Sequence, residues 1–307
     1  MFKTDPNCVF IPPMKAKTRR QFLQQGLVLG SGLLLPKWAL AAAPRKAKLI
    51  LLHTNDFHSR LEAFPSNHRT WPNQGGIAGL GGRIMQERYR ADYAPLPSYH
   101  LLVDSGDVFQ GTPYFNLYGG QPELEWMSQM GYAASTLGNH EFDNGIEHLK
   151  TVHRQHAHFP LLSCNYHYDA DPFFLPYTVV ERGPIRIGLT GVGIHPYGLI
   201  SERSMTGLRY EDPVEPLQKA VNHLRQNERC HLVIVLSHLG YQYDSDKIDD
   251  HKLAARTYGI DAILGGHTHT FLEEPVRVKN AKRETVIINQ AGWAGLRLGK
   301  LEFEVRL

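Results

Sequence analysis

Five apolar runs along this chain break off at the same kind of corner, where small turn residues meet side chains that can bind metals. KLILLHT (48–54) runs into NDFH (55–58), YHLLVDS (99–105) into SGD (105–107), and AASTL (133–137) into GNH (138–140). HLVIVLSH (231–238) closes on Ser237 and His238, and DAILGG (261–266) runs into GGHTH (265–269). Four more runs read as strands: PLLSCN (160–165), IRIGLTGV (185–192), ETVIINQ (284–290) and KLEFEV (300–305). Between them, amphipathic spacing predicts helices over 78–90, 123–130, 146–158, 213–226 and 252–258. Continuous apolar strands alternating with helices indicate an α/β chain whose sheets are covered on both faces. In such sheets, ligands collect beyond the carboxyl ends of strands.

The residue types at those ends are specific. Asp56 and His58 stand two apart, as do His267 and His269; in extended backbone that spacing puts both side chains on one face. Asp107 and His238 each sit alone at a strand end, and Asn139 adds a neutral carbonyl oxygen. Seven candidate ligands exceed one tetrahedral zinc and suit two first-row ions that share a carboxylate. Two divalent ions, two aspartates and a bridging hydroxide leave about one surplus positive charge, which would attract an anion such as phosphate. Singly, each of these residues is an ordinary turn residue. Five loaded ends together are not explained by turn chemistry. Of the 17 histidines, His148, His153, His156 and His158 lie on or near one expected helix without sharing a face. They are expected to be solvated, as are His68 and His100.

The first 41 residues follow another logic. TRRQFL (18–23) sets Arg19 and Arg20 before a moderately apolar run, 22–35, and ALA (39–41) follows at the spacing a signal peptidase cuts. The arginine pair predicts twin-arginine export to the periplasm, and the run is too short for a bilayer, which needs ~20 residues. This segment holds six of the 33 basic side chains and one of the 30 acidic ones, which leaves 27 against 29 in residues 42–307. A near-neutral remainder gives no support for nucleic-acid or membrane binding. Cys8 leaves with the segment. Cys164 and Cys230 flank apolar runs as buried thiols would, and folding before export disfavours a bridge between them.

The motifs DFH, GD, GNHEFD, SHLG and GGHTHT, in this order over 56–270, resemble the calcineurin-like metallophosphoesterases. Within these, the chain is similar to the catalytic domain of secreted bacterial 5′-nucleotidases. The resemblance implies a sandwich of two mixed β-sheets flanked by helices, a single catalytic domain over 42–307, and hydrolysis of phosphomonoesters by a metal-bridging hydroxide attacking in line. It implies one ion held by Asp56, His58, Asp107 and His269, and a second by Asp107, Asn139, His238 and His267. Zinc, manganese and iron all remain open. It further implies that His140 faces the substrate, oriented by Asp143, while Glu141 and Phe142 are structural. Asp143 fits the nucleotidases, because the related cyclic phosphodiesterases typically carry asparagine there. VFQGTP (108–113) likewise looks nucleotidase-like rather than like the thiohydrolases that share the domain. The family usually adds a C-terminal domain that stacks the base. Here that implies either a separately encoded substrate domain or a broader substrate range. A phosphodiesterase, a thiohydrolase and a non-catalytic metal- or partner-binding protein are the competing readings.

Overall fold

Continuous apolar strands need cover on both faces, and two stacked sheets between helix layers supply it. The computed structural model describes residues 46–94, 96–168 and 172–307; the expected export segment lies outside them. In chain order the strands are β1 (Lys46–Thr54), β2 (Ser98–Asp104), β3 (Ser135–Thr136), β4 (Leu161–Leu162), β5 (Tyr166–Tyr168), β6 (Tyr177–Arg182), β7 (Ile185–Gly193), β8 (Leu208–Tyr210), β9 (Leu232–His238), β10 (Ala262–Leu264), β11 (Val276–Lys279), β12 (Thr285–Asn289) and β13 (Gly299–Arg306). One sheet has the order β13-β1-β2-β3-β4 and the other β11-β12-β10-β9-β7-β6, while β5 and β8 form a separate ribbon. Both large sheets are mixed: β1 pairs parallel with β2 and antiparallel with β13, and β7 pairs parallel with β9 and antiparallel with β6.

Strand alternation explains why so few polar residues interrupt the runs. On β1, Leu49 and Leu51 join Leu101, Val103, Leu189, Ile234, Leu236 and Leu264 in the core between the sheets. Ile50 and Leu52 point the other way, onto Leu80 and Ile84 of the helix Gly76–Asp92. On β9, Val233 and Val235 meet Leu217, Val221 and Leu224 of the helix Val214–Gln226. That helix buries Leu217, Ala220, Val221 and Leu224, the i, i+3, i+4, i+7 stripe of an amphipathic helix. Each leucine or valine so buried contributes roughly 1.5–3 kcal/mol.

All nine expected strands form, and all five expected helices, with shifted ends. Missed were β5, β6, β8 and β11 and the short helix Pro113–Tyr118. The β6 sequence is half-exposed along most of its length, and β11 alternates exposed with half-buried positions, so neither shows an apolar run. Cys164 and Cys230 are free and buried. Among the described residues no helix is long and apolar enough to cross a membrane.

The two sheets meet at the ends that carry the polar corners. The Ser105 hydroxyl, just past β2, donates to the Leu264 carbonyl at the end of β10, 2.8 Å away. That bond is one of several that fasten one sheet's loaded end to the other's.

Candidate metal centre

Five strand ends converge here, and the backbone at each turns sharply. Asp56, His58, Asp107, His267 and His269 all adopt left-handed conformations, with φ of 51°, 51°, 53°, 72° and 51°. The expectation that Asp56 and His58, or His267 and His269, share a face because the chain is extended is therefore wrong. Tight left-handed turns, a conformation that Asp and His tolerate better than most residues, bring each pair together instead. Two glycines allow the crowding. A β-carbon on Gly138 would collide with the Asp107 carboxylate, and one on Gly266 would stand 2.9 Å from His238 Nδ1 and 3.1 Å from Asp56 Oδ2.

The structure gathers all seven candidate ligands. Ligand atoms of Asp56, His58 and His269 lie within 4.8 Å of one another, as do those of Asp107, His238 and His267. His269 Nε2 is 3.3 Å from Asp56 Oδ1 and 2.9 Å from His58 Nε2. His238 Nε2 is 3.0 Å from Asp107 Oδ2, and His58 Nε2 lies 4.0 Å from the same oxygen. Asp107 thus faces both groups. Asn139 enters the second group, its Oδ1 3.0 Å from His267 Nδ1. His140 shares a cluster with His58 and Asp107, so proximity alone does not separate it from the ligands. Its Nδ1, however, donates to Asp143 Oδ2 at 2.9 Å.

Outer contacts aim these groups. His238 Nδ1 donates to the Ser105 carbonyl at 2.7 Å and His58 Nδ1 to the Phe109 carbonyl at 3.3 Å, as expected of metal-binding histidines. Both oxygens of Asp56 accept from the His267 backbone N–H at 3.0 Å. Asn55 donates to Asp56 Oδ2 at 2.7 Å. Glu141 takes three backbone N–H groups, from Asp107 at 3.0 Å, Val108 at 2.7 Å and Gly138 at 2.6 Å. Its buried carboxylate ties the β2 corner to the β3 corner, which is a structural role.

The donor set fits divalent cations. Asp56 and Asp107 are almost fully buried, and among the described residues no lysine or arginine pairs with either. Buried carboxylates left like this are costly without a cation. His238 Nε2 is buried and aimed at the carboxylates, with Asp107 Oδ2 its nearest acidic oxygen at 3.0 Å. Burial alone would lower the His238 imidazole, but Asp107 and then Asp56 outweigh it and raise the group to about 10. A cation would relieve the same field. Burial, then neighbouring His238, lowers His267 to about 4, and burial lowers His58, so both are neutral and ready to ligate at neutral pH. His140 moves oppositely: its hydrogen bond to Asp143 raises it, against burial, with Asp107 adding to the rise.

Two contacts near the ligands escaped the sequence reading. Gln290, fully buried, accepts from Thr268 Oγ1 at 3.1 Å and from the Thr270 backbone, and donates to the Gly266 carbonyl at 2.7 Å. It shapes the turn that presents His267 and His269. Its signal was present, since it ends a sixth apolar run. The Trp293 ring stacks on His269, centroids 5.4 Å apart and planes at 6°. Nothing in the local sequence marks that stack. The histidines of the helix Ile146–His156 also need correction, because they are not simply solvated. His148 and His153 donate to the carbonyls of Gly119 and Phe159, and His156 pairs with Glu125.

Residues 49–271 match the calcineurin-like phosphoesterase family. The chain is 34% identical to rat (Rattus norvegicus) 5′-nucleotidase over 256 residues, 80% of this chain and 42% of that protein. It is 30% identical to the Vibrio cholerae 5′-nucleotidase over 318 residues, 92% of this chain and 56% of the relative. The crystal structure of a 5′-nucleotidase precursor from Thermus thermophilus superposes with a TM-score of 0.72 at 34% identity, over 83% of this chain and 51% of the other. The chain spans about half the length of these relatives.

Proposed function

Given that the chain belongs to the calcineurin-like phosphoesterase family, we propose that it hydrolyses phosphomonoesters, nucleoside 5′-phosphates first among them. One observation carries the reading: two groups of ligand atoms overlap at Asp107, beside an imidazole paired with a carboxylate. Asp56, His58, Asp107 and His269 would hold one divalent ion, and Asp107, Asn139, His238 and His267 the other; zinc, manganese and iron all suit these nitrogen and oxygen donors. When bound, the ions supply Lewis acidity toward the phosphoryl group and the activated water. The chain's own contribution is then positional and protonic. Asp143 holds Nδ1 of His140, so Nε2 is the ring atom left to face the substrate. The raised imidazolium would donate there to a phosphoryl oxygen as charge develops and then protonate the departing alkoxide. A site meant only to retain metal would not need that pair.

The preference for nucleotides rests on the relatives, which are named 5′-nucleotidases. Export to the periplasm by the twin-arginine route rests on Arg19, Arg20 and the short apolar run after them. A separately encoded substrate domain would add base contacts, and its presence should raise kcat/KM for AMP far more than for an aryl phosphate.

The test is turnover of p-nitrophenyl phosphate, AMP and a sugar phosphate by purified protein, before and after chelation, with bound metals measured by mass spectrometry. Metal-dependent release of phosphate is expected. Protein carrying two ions that cleaves no phosphomonoester, or cleaves it equally well after metal removal, would end the proposal.

A further inference from the structure

Each imidazole at the centre is aimed by something. For His58 and His238 it is a carbonyl that accepts from Nδ1. For His267 it is the pair of Asp56 oxygens on its backbone N–H, with Asn139 at its ring. His269 is different. Its side chain is 37% exposed, its Nε2 faces Asp56 and His58, and among the described residues Nδ1 has no hydrogen-bond partner. A ring so placed is free to rotate out of the centre unless a face is blocked. The near-parallel Trp293 indole blocks it.

The indole is itself fixed. Phe64 meets it edge-on, with centroids 5.7 Å apart at 68°. The strap that carries it is bonded to both neighbouring ligand turns: Ala294 N–H donates to the Asp56 carbonyl at 2.8 Å, and Gly292 N–H to the Thr270 carbonyl at 3.0 Å. Asn55 fastens the strap from the other side, donating to the Gly292 carbonyl at 2.5 Å and accepting from Ala291 N–H at 2.8 Å. Asn139 and His238 take no part in this arrangement.

We infer that Trp293 is a positioning residue for one of the two metal sites: its flat face holds His269 in the ligating rotamer, so that the ion shared by Asp56, His58, Asp107 and His269 depends on it while the other ion does not. The inference rests on the dimetal reading above. Losing a contact that orients a ligand typically weakens metal binding 10–100-fold.

The test titrates metal-free protein with Mn²⁺ by calorimetry, with stoichiometry checked by mass spectrometry. Wild type should bind two ions. Trp293→Leu should weaken one binding step roughly 10–100-fold and leave the other unchanged, and Trp293→Phe, which keeps a flat face, should restore it. Should the leucine variant fail to fold, Trp293→Met removes the flat face with a longer, unbranched and more adaptable side chain and carries the same expectation. Both steps unchanged in the leucine or methionine variant would overturn the inference, as would equal weakening of both steps. A wild-type protein that binds fewer than two ions would instead sink the dimetal reading, so the two failures are distinguishable.

Discussion

Asp107 reaches across both groups of ligands, 3.0 Å from His238 and 4.0 Å from His58, and also accepts the His140 backbone N–H at 2.8 Å. Burial would raise its carboxyl, yet the facing imidazoles, His238 first, hold it well below the usual range. Asp107→Ala should therefore take bound metal to one ion or none and abolish turnover; a variant that keeps two ions per chain would contradict the assignment. His140 should separate rate from binding. His140→Ala is expected to lose roughly 10²–10⁴-fold in kcat while retaining its metals, and loss of metal would make it a ligand instead. At this scale the clustering was readable because chemistry and position coincide: side chains able to bind metals sit where strands end. The contact between Trp293 and His269 was not readable, because it joins residues far apart in the chain through a turn whose handedness no local pattern announces.

At the scale of elements, Glu141 shows how a corner can be built from one side chain. Its three backbone donors come from two different strand ends, and all are buried. Removing the acceptor leaves them unsatisfied at roughly 1–3 kcal/mol each. Glu141→Ala should lower thermal stability by several degrees and weaken metal binding as the corners separate; an unchanged melting temperature would deny it this role. The helix Ile146–His156 carries a pH effect. Burial lowers His153 from 6.5 to about 4, against the carbonyl of Phe159 that its ring engages. Its folded pKa is depressed, so the stability it permits is full above the unfolded value and is lost as pH falls from about 6.5 toward 4. The loss should approach about 3 kcal/mol. His153→Gln should flatten the acid limb of stability against pH, and an equally steep limb would refute this. Long, evenly apolar strands and striped helices were legible. Edge strands such as β6 and β11 were not, because half-exposed pairing imposes no apolar run.

For the whole molecule, the sandwich matters because its two sheets carry their loaded ends to one place, where Ser105 and Leu264 join them. Ions there would bind groups from both sheets, so metal should act as a cross-brace. At 100-fold excess over Kd each ion adds about 2.7 kcal/mol to stability. Chelation should lower the melting temperature by several degrees, and Asp107→Ala should at least halve the difference between treated and untreated protein, erasing it if no ion is retained. The α/β class was legible from strands alternating with helices and the two-sheet sandwich from the family resemblance, whereas pairing order and the separate ribbon were not, since neither leaves a trace in local pattern. The left-handed turns at Asp56, His58, Asp107, His267 and His269 bear on how such a protein can change over generations. Each asks an L-residue to adopt a conformation that glycine enters freely, at about 1 kcal/mol apiece. Metal-free His269→Gly should be at least as stable as its metal-free parent, and a melting temperature several degrees lower would argue otherwise. If so, a lineage released from the need to bind ions would drift downhill toward glycine at these turns, becoming sturdier as it fell silent. Persistence of side chains there is the mark of a fold kept away from its stability optimum by its work.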